Sequence, residues 1–360
     1  MSAVPAVTPS QLPESAPRRA ERRMPLIDAF KAIASQLIVL HHLSSYGPLS
    51  ESARELAPQL LDWMYDYARV AVQVFLVIGG FLAAKGPAPT GEPTVERPLL
   101  LIWKRYRRLV LPYLAALGVG ITCAALARLW LWDGWVPNAP TLPQLAAHAL
   151  LLNGLLNQEA LSAGVWYVAI DFQLFALMVL TLWLSRKAGA VAGQVRRLTP
   201  VLVGVLAVVS LFHFNRNEVW DEWAIYFFGS YAMGALAYWA ADERRSYVWL
   251  TLLAAIVVAA LAVDFRLRIA VALAVALALG VGRRTGALEA WLDVKPLAYL
   301  GKISYSVFLF HFPVLMVMNA VIPHLAPRNP TASAIGLMLA WAISVAVGAF
   351  FFRLVESRVR

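Results

Sequence analysis

Residues 332–355 read ASAIGLMLAWAISVAVGAFFFRLV, an apolar run in which no charge appears before Arg353. As an α-helix, the stretch from Ala332 to Phe352 is about 31 Å long at about 1.5 Å per residue, which matches a hydrocarbon core of about 30 Å. Its apolar residues are consecutive rather than alternating, so it is not a strand of an outer-membrane barrel. Inside lipid, a helix lets such a segment satisfy its own backbone hydrogen bonds. The run therefore predicts a membrane-spanning helix. Nine more segments read the same way: 26–47, 69–85, 108–130, 163–185, 199–214, 222–241, 247–263, 267–282 and 297–321.

Composition agrees with lipid as the main solvent. Of 360 residues, 60% are hydrophobic and 14% charged, and the mean hydropathy is +0.65, too apolar for a water-soluble domain that needs a polar shell. The expected fold class is all-α, a polytopic transmembrane helical bundle of about ten spans. Cys123, the one cysteine, sits inside an apolar run. That excludes a disulfide framework and a cysteine metal cluster, and its surroundings would keep it a thiol rather than a nucleophile. The six histidines show no H-E-x-x-H spacing, so no metal is expected. A net charge of +10 would suggest nucleic acid in a soluble protein. Here the basic residues cluster between the apolar runs, where topology accounts for them and no nucleic-acid partner is expected.

Residues 1–24 are rich in Pro, Ala, Ser and Arg, lack apolar periodicity, and end in Arg18, Arg19, Arg22 and Arg23; they read as a disordered cytoplasmic tail. The apolar run that follows carries Asp28 and Lys31 and leads to no small-residue cleavage site, so it is not a cleaved signal. Residues 25–360 form one membrane-embedded domain. Segment 141–158 is too short and polar for a crossing and reads as an interfacial or re-entrant helix. With the tail inside, the inner segments hold 23 of the 31 lysines and arginines. The outer ends hold seven: Arg54, Arg69, Arg128, Arg216, Arg266, Arg268 and Arg328. That asymmetry predicts both termini in the cytoplasm.

The first span carries Asp28, Lys31, Ser35, Gln36, His41 and His42. Each ionisable group near a helix centre costs about 2.5 to 3.5 kcal/mol or more, so their concentration marks a functional candidate. At about 100° per residue, Lys31 and Ser35 fall about 20° from His42, and Asp28 and Tyr46 about 40°. His41 lies about 100° away. One face of the helix is a polar stripe, and His42 belongs to it.

Six segments, in order, resemble the acyltransferase-3 family of bacterial membrane proteins: LIDAFKAIASQLIVLHH (26–42), VFLVIGGFL (74–82), KRYRRLVLPYL (104–114), WYVAIDFQLF (166–175), LGKISYSVFLFHFPVL (300–315) and RLVESRVR (353–360). The family's first helix carries an arginine and, ten intervening residues later, a histidine; Lys31 and His42 hold those positions here. A lysine is a point charge and does not grip phosphate bidentately as arginine does. The family's Arg-x-x-Arg maps to Arg105 and Arg108, its Ser-Gly pair to Gly79 and Gly80, and its fourth-span glutamate to Asp171.

The resemblance implies a multi-pass protein of the bacterial inner membrane that takes acyl-CoA, often acetyl-CoA, as donor. Its acceptor would be a hydroxyl of an envelope glycan, an exopolysaccharide or a lipid-linked sugar. On that footing Lys31, Arg105 and Arg108 would bind the donor's phosphates at the cytoplasmic side. His42, about 16 Å further along the helix axis, would act as general base. Asp171 is expected to orient its imidazole, and His42, Asp171 and His311 are expected at similar depth in the outer half. Trp132, Trp135, Trp166, Trp220 and Trp223 suit an interfacial aromatic belt or a sugar platform. Asn153, Asn157, Gln158 and Glu159 could line an acceptor entrance or a solvated loop. The competing class is an ion-coupled transporter, since intramembrane Asp, Lys and His also mark ion pathways, but no inverted repeat is visible.

Overall fold

The computed structural model describes residues 23–131, 134–291 and 293–359, and among these every regular element is a helix. A helix stands at each of the ten apolar segments: α1 (Pro25–Ser45), α2 (Val72–Lys85), α3 (Pro98–Ala127), α4 (Val165–Ala192), α5 (Val195–Phe212), α6 (Ala224–Ala240), α7 (Val248–Val263), α8 (Leu267–Arg284), α9 (Lys295–Leu325) and α10 (Pro330–Phe351).

Seven are long and apolar enough to cross a membrane: α1, α2 with the Pro58–Tyr67 helix leading into it, α3, α4, α5, α9 and α10. By length α6, with 17 residues, and α7, with 16, fall short. α8 has Arg268, Arg283 and Arg284 among its 18 residues. The expectation of ten crossings, and of cytoplasmic termini on an even count, goes beyond these seven. The tail expected over 1–24 lies, up to residue 22, outside the described residues. Segment 141–158 holds an eight-residue helix, Leu142–Ala149, closed at its start by a capping box between Thr141 and Gln144. At about 12 Å it cannot cross a bilayer.

Prolines at the first helical position start α1, α3 and α10, where the missing N–H costs nothing. Gly193, at φ +65°, ends α4 in a left-handed conformation that glycine adopts without penalty. Between helices in lipid there is no hydrophobic driving force, so close backbone approach supplies the packing. A Cβ on Gly80 would meet the Tyr231 carbonyl oxygen at 1.7 Å, and one on Gly234 the Val77 carbonyl oxygen at 1.9 Å. These two glycines thus seat α2 directly on α6. α6 is buried over most of its length and also packs against α5 and α8. α1 lies along α9, which contacts α3 and α10. The inward faces of α1, α2, α3, α4 and α9 enclose the site.

Candidate functional site

The stripe on α1 faces the interior. Asp28 and Lys31 line a cavity of about 680 Å³, and His42 lines a second of about 700 Å³. Ile38, Val72, Tyr167 and Phe308 line both, so the two spaces meet at a waist of four side chains. The rings of Tyr167 and Phe308 stand edge to face, 5.9 Å apart. Gln36 turns away from the stripe, and its Oε1 accepts from Trp341 Nε1 at 2.8 Å.

The inner cavity is basic. All three residues expected at the donor end, Lys31, Arg105 and Arg108, line it, together with Arg23, Lys295 and Lys302. Arg23 pairs with Asp28 and Asp293, both at 3.1 Å. The wall from α9 was missed in the sequence, although Lys295, Tyr299 and Lys302 recur at the spacing of one helical face, with Tyr305 three residues beyond. Lys104 and Arg107 are exposed on α3. Glu356 lines the cavity too, and its carboxylate accepts from Ser306 Oγ at 2.5 Å.

Asp171 corrects an expectation. It lines the inner cavity rather than the outer, and Arg105 donates to its Oδ2 at 2.6 Å. A carboxylate this buried, 6% exposed, is costly unless paired, and the guanidinium of α3 reaches it across the α3–α4 contact. It therefore does not orient His42. Gly79 leaves room at this point: a Cβ there would meet Tyr231 at 2.9 Å and Asp171 Oδ1 at 3.5 Å. Arg105 Nε and the Tyr231 hydroxyl are buried beside the pair without hydrogen-bond partners.

His42 is held by His311. The two rings stack at 4.7 Å with a 20° interplanar angle, and His311 Nε2 lies 2.7 Å from His42 Nδ1. His311 Nδ1 lies 2.5 Å from the Phe308 carbonyl oxygen. A carbonyl can only accept, so Nδ1 of His311 carries the proton, and in a neutral ring its Nε2 is then an acceptor. His42 Nδ1–H must fill that contact, which leaves His42 Nε2 with a free lone pair. Tyr46, the extended residue just past the end of α1, stacks on His42 at 5.8 Å. Gly164, at φ +79°, closes over the ring: a Cβ there would come within 3.3 Å of His42 Cε1. His41 also lines the outer cavity and lies against Tyr65.

Beyond the outer cavity, the loop after Leu142–Ala149 is pinned by His148. Its Nδ1 donates to the Gln144 carbonyl at 2.8 Å, and its Nε2 accepts from Leu161 N–H at 3.2 Å. Burial lowers the pKa of this imidazole from 6.5, because the charged form would be desolvated. Of the tryptophans, Trp135 packs on Tyr46 and Phe312, Trp220 lies against Phe214 and Trp223, and Trp166 lines the outer cavity. Trp132 lies outside the described residues.

An acyltransferase-3 family model, described as an acyltransferase domain, matches residues 25–351. No curated protein and no solved structure matches the chain. With the match running from the first residue of α1 to the last of α10, the chain belongs to the acyltransferase-3 family and is a membrane acyltransferase.

Proposed function

We propose that the protein moves an acyl group, acetyl in the simplest case, from acyl-CoA bound in the inner cavity to a hydroxyl of a cell-envelope or exopolysaccharide glycan presented in the outer one. The observation that carries this is the position of His42. It holds a free Nε2 lone pair and lines a cavity that meets, at a four-residue waist, a second cavity walled by six cationic residues. Clustered cations suit the phosphates of a coenzyme A thioester. The axial distance from Lys31 to His42, about 16 Å, suits the arm that carries the thioester.

In the proposed reaction the acceptor hydroxyl oxygen attacks the thioester carbonyl while its proton passes to His42 Nε2. The new C–O bond forms as the C–S bond breaks, and the departing thiolate recovers the proton from the imidazolium. His311, itself fixed by the Phe308 carbonyl, accepts from His42 Nδ1–H and so holds the attacking tautomer. Lys31, Arg108 and the outer edge of Arg105 bind the donor, and the pair with Asp171 sets the direction of the Arg105 side chain. No metal has a role, and the chain works in the inner membrane.

The experiment is transfer of label from acetyl-CoA by the purified chain with an oligosaccharide acceptor. Release of coenzyme A and acylated sugar with the native chain, and neither with an inserted, folded His42→Ala variant, is the expected result. Full activity in His42→Ala overturns the proposed base. Solute uptake into vesicles without thioester turnover would overturn the reaction itself.

A further inference from the structure

A third cavity, of about 430 Å³, adjoins the outer one and shares Trp166, Asp221 and Phe227 with it. Its walls come from the loop after Leu142–Ala149 and from the loop before α6, with Asn153, Glu159 and Glu222 in them. Trp166 and Phe227, with rings 5.6 Å apart, make the apolar side. Asn153 is 3% exposed, and its Oδ1 has no hydrogen-bond partner. A buried amide left unsatisfied is destabilising, a cost that a ligand hydroxyl would remove. The loop holding it is tied at two points: Gln158 N–H donates to the Asn153 carbonyl at 2.8 Å, and Gln173 Nε2 donates to the Leu151 carbonyl from α4 at 3.1 Å.

Charge separates this space from the inner cavity. Glu159, Asp221 and Glu222 line it, and among the described residues no lysine or arginine does. Gly154 admits one of these carboxylates, since a Cβ there would lie 1.8 Å from Glu222 Oε2. Partial desolvation first, then the neighbouring Asp221, raises the Glu222 carboxyl above its ordinary value.

We propose that this cavity is an acceptor subsite for uncharged sugar rings, and that its carboxylates turn away acceptors bearing carboxylate or phosphate groups. Carboxylates accept from sugar hydroxyls, the amide of Asn153 both donates and accepts, and the Trp166 wall takes the apolar face of a ring. A negatively charged sugar would meet the carboxylates of Glu159, Asp221 and Glu222, of which Asp221 has Arg268 near it. The proposal rests on the acyl-transfer function for the meaning of the word acceptor, and on the cavity alone for its chemistry.

The test is calorimetric titration of the full chain in lipid nanodiscs with maltotriose, which is neutral, and with trigalacturonate, which carries three carboxylates. Maltotriose is expected to bind at least about tenfold more tightly, and Asn153→Ala to weaken maltotriose by about tenfold, the value of one well-made hydrogen bond. Equal affinity for the two sugars, or no change in Asn153→Ala, overturns the proposal. Should Asn153→Ala fail to insert, Glu222→Gln at an exposed position decides: a smaller preference for maltotriose supports the subsite, and an unchanged one overturns it. The titration contains no acyl-CoA, so its failure leaves transfer to its own assay. Loss of transfer, equally, leaves the titration readable.

Discussion

His311 Nε2 lies 2.7 Å from His42 Nδ1, and the far nitrogen of His311 is committed to the Phe308 carbonyl. The pair therefore has a direction: only one hydrogen-bonding order satisfies a carbonyl at one end, and it leaves the lone pair on His42. Removing the acceptor in His311→Ala should free the His42 ring to rotate or to exchange tautomers. The expected effect is a fall in kcat of about 100-fold with donor KM little changed. His311→Gln, whose side-chain carbonyl can accept from Nδ1–H, should recover part of the loss. An equal loss in both variants, with matching losses of folded protein, would reduce His311 to a packing role.

The Arg105–Asp171 pair makes a different demand. Removing one partner of a buried ion pair leaves an uncompensated charge, so Asp171→Asn should lower stability by about 3 kcal/mol, approaching 5 at most. Arg108 is exposed on the same helix, and Arg108→Ala should leave thermal stability in detergent near that of the native chain. Its effect should appear in donor KM, raised about tenfold for the loss of one charge-assisted hydrogen bond. A stability loss in Arg108→Ala as large as that in Asp171→Asn would contradict this division.

What could be read in the sequence follows from what a helix fixes by itself. The stripe of Asp28, Lys31 and His42 is set by angles within one helix, and the cavities meet it where that arithmetic puts it. The partner of Asp171 depends on the relative depth of α3 and α4, which no periodicity within either helix encodes, so a carboxylate expected beside His42 turns out to face Arg105. Lys295 and Lys302 are legible by the arithmetic used for α1, although in the sequence they enter only as part of the inner-segment charge. Asn153 reads in the sequence, with Asn157, Gln158 and Glu159, as lining either an acceptor entrance or a solvated loop; its unsatisfied oxygen is a property of packing.

At the waist, Phe308 contributes its ring to both cavities and its carbonyl to His311. Phe308→Ala removes the first and keeps the second, so it separates passage of the acyl chain from the orientation of His42. The opening should then take a longer chain. In an apolar constriction one methylene is worth about 1 to 3 kcal/mol, so the preference for acetyl-CoA over butyryl-CoA in kcat/KM should fall by about tenfold or more. An unchanged preference would mean that the acyl group does not pass between Tyr167 and Phe308.

His148 gives the molecule a pH dependence outside its spans. Folded, both ring nitrogens are occupied in the neutral form, one donating to Gln144 and one accepting from Leu161, and burial holds the pKa below the 6.5 of the unfolded chain. Between those two values the unfolded loop binds a proton that the folded one does not. Its contribution is therefore complete above 6.5 and is lost as pH falls through the folded value. Hydrogen exchange at the Leu161 amide, corrected for its intrinsic rate, should show more frequent opening near pH 5.5 than near pH 7.5. In His148→Gln, which cannot titrate, that difference should vanish. If it persists in the variant, protonation elsewhere loosens the loop.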